Sequence, residues 1–306
     1  MPARLLLAPA LALALACTGA ASAADFLEAL APGVYLHRGK HADIDSPDRA
    51  DSANLGVVVG ARCVAVIDTG GAVATGQALR AAIRALTDRP VCYVINTHVH
   101  FDHVLGNAAF VADGAEFIGQ AHLPEEMAAS RDFFLENFKA ELGESPSADK
   151  VVAPTRTVAD VLSLDLGDRE LRLVAAPRAH SVTDLIVLDE RSGTLFAGDL
   201  LFRERLPIID GSLKGWLAWL DGASTTPYAR VVPGHGPVDE AWPAGAAAER
   251  SYFEALLDEL RAGIAAGMLL EEAQDKVAVD KLTGWQLTGR AHRLNVSRAY
   301  RELEWE

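Results

Sequence analysis

The chain has 306 residues, half of them apolar, with a formal charge of −14 and a pI near 5.1. That is enough for one large domain or two modest ones around a sizeable core. The acidity leaves no basic stripe of the kind that holds nucleic acid or an anionic membrane surface, so neither is expected as a partner.

The first residues, "MPARLLLAPALALALACTGAASAADF", place Arg4 ahead of an apolar stretch from Leu5 to Ala16 and end in small residues. This is the layout of a secretory signal over residues 1–23, cleaved after Ala23, and it predicts export to a bacterial periplasm. The apolar run is too short to span a bilayer and no later segment approaches that length, so no stable membrane insertion is expected. Lipidation at Cys17 is the alternative, disfavoured because Ala14 stands where such a signal prefers leucine.

Segments 33–37 ("GVYLH") and 54–60 ("NLGVVVG") read as strands around a polar, acidic loop from His41 to Ser52. "CVAVIDTG" is a buried strand ending at Asp68, followed by the helix "ATGQALRAAIRAL". "VCYVINTH" is the next buried strand. Cys63 and Cys92 each open one of these runs. If the strands pair in parallel the sulfurs come close, and an exported chain favours a bridge. Two buried thiols read equally well.

A helix is predicted between Leu123 and Leu142, then a second strand-rich stretch with turns at 167–168 and 192–193. "ARVVPGHG" is a short strand that breaks into a glycine-rich loop. From Pro243 the pattern is helical, and the final helix carries Val296, Ala299, Tyr300 and Leu303 on one face. The order predicts an α/β fold in four layers, helices outside two facing sheets, with a helical tail.

Five of the nine histidines fall at the ends of strand-like runs beside Gly, Asp or Ser. In "INTHVHFDHVLGN", His98 and His100 are two apart on an extended chain and face one spot. Asp102 and His103 follow where the chain turns and face a neighbouring spot. His180 in "PRAHSVTD", Asp199 in "FAGDLLF" and His235 in "VPGHGP" complete the set. Imidazole suits zinc and carboxylate suits several divalent ions, so the set predicts metal binding.

The pattern His98-x-His100-x-Asp102-His103, then His180, Asp199 and His235, with "VIDTG" (66–70) and "GHGP" (234–237), resembles the metallo-β-lactamase-fold superfamily over residues 30–240. The resemblance implies an αββα sandwich over 24–242, a C-terminal helical extension over 243–306, and a two-metal site at the sheet edge. It implies that His98, His100 and His180 hold one zinc, that Asp102, His103 and His235 hold the other, and that Asp199 bridges them. Asp102 and Asp199 are then the catalytic carboxylates. Iron and manganese accept the same ligands.

Two Zn²⁺ against two carboxylates and five neutral imidazoles leave +2, so a bridging water readily yields hydroxide at neutral pH. The remaining positive charge favours a small, anionic substrate. Within the superfamily, an aspartate at 199 points to thioesterases, nucleases and sulfatases, since true β-lactamases usually carry Cys or Ser there. His103 points away from the single-iron persulfide oxidisers.

"ANLGVVVG" (53–60), "FRERLPIIDGSLKGWLAWLD" (202–221), "RVVPGHGP" (230–237) and "NVSRAYRELEWE" (295–306) resemble a narrower group, the quinoprotein relay system zinc metallohydrolases related to the SoxH proteins. This implies an accessory hydrolase acting on an ester-type or thioester substrate, beside a periplasmic quinoprotein alcohol dehydrogenase or its cytochrome c. The loop "HADIDSPDRADS" (41–52) departs from that group. Other readings are a glyoxalase II-like thioesterase, a β-lactamase-like hydrolase, or a non-catalytic metal-binding partner of a redox system. Arg203, Arg205, Lys214, Trp216, His37 and His41 are further residues within potential reach of a pocket, each equally readable as a surface charge or core side chain.

Overall fold

The computed structural model describes residues 26–306 except 144; the expected signal segment and Cys17 lie outside them. Two sheets face each other. The first runs β1 (Glu28–Ala31), β2 (Val34–His37), β3 (Leu55–Val59), β4 (Val64–Ile67), β5 (Val91–Ile95), β6 (Glu116–Gln120) and β7 (Arg156–Val158), in that spatial order. The second is ordered β12 (Arg230–His235), β11 (Thr194–Phe202), β10 (Leu185–Asp189), β9 (Glu170–Ala175) and β8 (Val161–Asp165). Strands β1 to β4 are antiparallel and β4 to β7 parallel, while in the second sheet only the β11–β12 pair is parallel.

Burial explains the strand sequences. Val64 and Val66 of β4 pack outward with Leu79 and Ile83 of helix α1 (Val73–Leu86), while Ala65 and Ile67 point into the layer between the sheets. A strand covered on both faces reads as an unbroken apolar run. Strand β9 near the far edge alternates exposed and buried residues, as a one-sided strand does. The layer between the sheets contains Val58, Ile95, Leu173, Val187, Phe196 and Val232.

The short helix α2 (Phe101–Val104) and the longer α3 (Leu123–Asn137) lie on the first-sheet side. Helix α3 stops before the expected Leu142, and Phe138 and Leu142 continue the same apolar cluster in the turns that follow. Helices α4 (Leu213–Ala223), α5 (Ala247–Ala265), α6 (Leu270–Lys276) and α7 (Thr288–Leu303) cover the outer face of the second sheet through Trp216, Tyr252, Phe253 and Val296. The result is the expected α/β sandwich with a C-terminal helical extension, and the extension packs on the sandwich.

Cys63 and Cys92 are bridged, with Cα atoms 5.8 Å apart, because β4 and β5 pair in parallel and bring their starts together. Closing that 29-residue separation stabilises the fold by about 3–4 kcal/mol in the chain-entropy account. The two sheets are also tied at one end by Asn54. Its backbone N–H donates to Gly234 O at 2.8 Å, and its side chain donates to Pro233 O and Gly236 O at 2.9 and 2.8 Å.

Candidate metal centre

The seven residues picked from the sequence meet at one end of the sandwich. His98, His100, His180 and Asp199 form one group and Asp102, His103 and His235 another; within each, the ligand atoms lie within 4.8 Å of one another. His98 and His100 leave the end of β5, and Asp102 and His103 sit on α2. His180 precedes β10, while Asp199 and His235 come from the adjacent strands β11 and β12.

Each imidazole is held from outside through the nitrogen that faces away from the centre. His180 Nδ1 donates to Ile208 O at 2.7 Å and His235 Nδ1 to Ser52 O at 2.8 Å. His103 Nδ1 donates to Asp68 Oδ2 at 2.8 Å, and His100 Nε2 to Asp210 Oδ2 at 2.9 Å. Thr97 Oγ1 gives its proton to Asp68, so it accepts from His98 Nδ1 at 3.0 Å. Acceptors on the outer nitrogens fix the tautomers, so a neutral ring in this arrangement presents its inner nitrogen as a bare lone pair.

Those lone pairs converge. His100 Nδ1 stands 3.0 Å from His98 Nε2 and 2.9 Å from His180 Nε2, with no proton to join them. Asp199 Oδ2 lies 3.4 Å from His180 Nε2 and 3.3 Å from His235 Nε2, and Oδ1 lies 3.2 Å from His103 Nε2. His103 Nε2 and Asp199 Oδ1 are buried without a hydrogen-bond partner. Four ligands about 2.0–2.1 Å from a tetrahedral ion stand roughly 3.3 Å apart, so a cation in each group would satisfy atoms that otherwise repel. The arrangement fits a dinuclear metal site.

Electrostatics agree with this reading. Burial foremost holds His98 and His100 below the usual imidazole range and takes His180 down to about 3, so these rings are neutral at pH 7. Burial also opposes charge on Asp199, but His235, His103, His98 and His180 outweigh it and keep the carboxylate ionised. His103 is the exception. Burial lowers it, yet Asp199, Asp68 and Asp102 together raise it well above the ordinary value, marking a spot that calls for positive charge.

Local backbone choices serve this geometry. Asp68 ends β4 at φ 59°, a left-handed conformation that Asp tolerates, and its carboxylate there accepts Thr97 N–H at 2.8 Å while gripping His103. A Cβ on Gly234 would stand 1.8 Å from Asp199 Oδ1, so only glycine lets β12 pass beside that carboxylate. Ser52 Oγ donates to Asp102 Oδ2 at 2.7 Å.

Beside the centre opens a cavity of about 390 Å³. Ala42, Asp43 and Ile44 of the acidic loop line one side, Phe133 and Phe134 of α3 another, and Leu287, Ala291 and Leu294 at α7 a third. Arg205, 8% exposed, also lines it, with Nη1 2.9 Å from His235 Nδ1. Since His235 Nδ1 already donates to Ser52, that approach is not a hydrogen bond. Among the described residues, Arg205 has no carboxylate partner within ion-pair distance.

The other residues considered from the sequence serve the scaffold. Arg203 donates to Pro237 O and Val238 O, Lys214 pairs with Glu306, and Trp216 is buried, donating to Leu200 O. His37 stacks on Phe26 and contacts Asp51, and His41 contacts Glu204. Residues not singled out from the sequence are Asp210, Ser52 and the α7 side chains. Asp68 was visible only as part of "VIDTG".

The model of the Metallo-beta-lactamase superfamily matches residues 48–235, more than half of the chain. No curated protein sequence matches it. Among solved structures, a β-lactamase domain protein from Burkholderia ambifaria aligns with TM-score 0.67 and 21% identity over 94% of this chain and 90% of its own. A metallo-beta-lactamase family protein from Thermus thermophilus aligns with TM-score 0.65 and 20% identity, covering 90% of this chain and 95% of its own. The sec-alkylsulfatase Pisa1 from Pseudomonas sp. aligns with TM-score 0.65 and 16% identity over 90% of this chain but 50% of its own length. Identities this low speak for the fold alone. The family model, the sandwich and the converging histidines and aspartates agree: the chain belongs to the metallo-beta-lactamase superfamily, whose fold is that of a metal-dependent hydrolase.

Proposed function

We propose that this protein is an exported di-zinc hydrolase that cleaves a small, anionic ester-type or thioester substrate, as an accessory to a quinoprotein alcohol dehydrogenase system. The observation that carries the hydrolase reading is the set of five inner imidazole nitrogens and Asp199, converging on two adjoining points. His98, His100 and His180 would hold one ion and Asp102, His103 and His235 the other, with Asp199 facing both groups. Metal ions held there would supply Lewis acidity and a water that is nucleophilic at neutral pH.

The chain's own residues do the rest. The outer hydrogen bonds orient the five imidazoles and Asp102 before any ion arrives. Arg205 places a dry positive charge where a substrate anion enters, and Phe133, Ile44 and Leu294 give its apolar part a wall. The export reading rests on residues 1–23, and the quinoprotein association on the sequence stretches that resemble that group. No described helix is long and apolar enough to cross a membrane.

The test measures metal content and hydrolysis together on the mature protein and an Asp199→Ala variant, against thioester, lactone, phosphodiester, sulfate ester and β-lactam substrates. Two metals per chain, with one ester class cleaved at least about a thousandfold faster by the parent, is the expected result. Two metals without turnover favours a metal-binding partner role. Less than one metal after reconstitution overturns the dinuclear reading.

A further inference from the structure

Helix α7 is more than a cover for the second sheet. Its Asn295, Arg298 and Glu302, three and four residues apart, form one stripe facing the irregular segment 206–212 and the start of α4. Asn295, fully buried, accepts Ile209 N–H at 2.8 Å and donates to Pro207 O at 2.7 Å. Arg298 donates to Ile209 O at 2.8 Å and pairs with Asp210 Oδ1. Glu302 accepts from Ser212 Oγ at 2.6 Å and Leu213 N at 2.8 Å.

This segment carries two of the three outer acceptors of the first cluster, Ile208 O for His180 and Asp210 Oδ2 for His100; the third, Thr97 Oγ1 behind His98, lies just past the end of β5. Irregular backbone has no ladder to define it, so the side chains that satisfy its polar groups set its shape. Packing alone would need only the apolar face of α7, with Val296, Ala299 and Leu303. The supports of the second cluster, Asp68 and Ser52, lie on the first-sheet side and touch none of the stripe.

We propose that α7 is a positioning element for the first metal cluster: Arg298, through Asp210 and the 207–210 backbone, aligns His100 and His180. This rests on the dinuclear reading above. The action is selective, because Arg298 reaches one cluster's supports and not the other's. It is also independent of substrate, although Arg298 borders the cavity.

The experiment is stepwise zinc binding by chelator competition on metal-stripped protein, in the parent and in Arg298→Ala, Arg298→Lys and Arg293→Ala. Arg293 lies on the same helix but pairs with Asp275, so its loss is the control. Repeating the titration in an Asp102→Ala background, which removes a second-cluster ligand, assigns the remaining constant to the first cluster. The expected result is one constant weakened about tenfold or more by Arg298→Ala, in both backgrounds. The other constant should stay within about twofold, with partial recovery in the lysine variant and no change in Arg293→Ala. Two unchanged constants overturn the inference. So does equal weakening of both together with a lowered unfolding temperature, the mark of a purely structural role. A parent that binds no zinc overturns the dinuclear reading itself, and this inference falls with it.

Discussion

The two clusters lie side by side but are supported from different media. His103 leans on Asp68, whose side chain is 3% exposed, whereas His100 leans on Asp210, whose side chain is 35% exposed. A charge-assisted hydrogen bond in dry surroundings is stronger and less screened than one that water reaches. The second cluster therefore has the more rigid frame. In the first, His100 and His180 depend on a loop and a distant helix, and it is the cluster whose affinity sequence change or salt can adjust.

Gly234→Ala should erase the contrast by striking both clusters. The new Cβ must displace Asp199, which faces each of them, and affinity for both ions should fall about a hundredfold in the same chelator titration. Asp68→Asn should sharpen the contrast. It removes the charge behind His103, so the second cluster's constant should weaken about 10- to 100-fold, and the first cluster, which Asp68 reaches only through Thr97 and His98, should weaken by less. Asp210→Asn is the partner measurement: the amide oxygen still accepts from His100 and exposure has already reduced the charge effect, but the pair with Arg298 is lost, so a loss of about tenfold, close to that of Arg298→Ala, is expected. Equal losses in the two asparagine variants would contradict the difference in medium.

The smallest effect concerns stability. Burial above all raises the Glu249 carboxyl well above its usual value, against the stabilising N–H of Phe202. The folded chain then holds a proton that the unfolded chain releases above pH 4.5. Its contribution is complete below that pH and is lost as pH rises toward the folded value. Glu249→Gln should remove this dependence, so its stability relative to the parent should rise with pH. The rise is up to about 1.4 kcal/mol per pH unit while the one-proton difference lasts, read by urea unfolding at several pH values above 5.

How much of this was legible in the sequence divides along the same line. The seven residues were readable because strand ends bring them to one edge, and a strand end is a local signal: an apolar run, then His or Asp where the run breaks. Asp210 has only a short form of that signal, two isoleucines ahead of it and no strand. Its partner His100 lies 110 residues earlier, and "IIDGS" looks like any turn. Arg298 and Glu302 read as the solvated side of an amphipathic helix, and only Asn295, a polar residue on the apolar face, hinted at a task. The disulfide was undecidable for a related reason. Nothing within "CVAVIDTG" or "CYVINTH" says that the two strands are neighbours in register.

Asn54 joins both sheets beneath the centre by three hydrogen bonds, so the floor of the cleft is riveted. A molecule cannot enter by prising the sheets apart. Traffic must pass over the rim, between the 42–44 stretch and the Leu287–Leu294 side of α7, where the wall is a loop on one bank and a helix end on the other. The doorway, not the floor, then decides what size and shape of substrate is admitted.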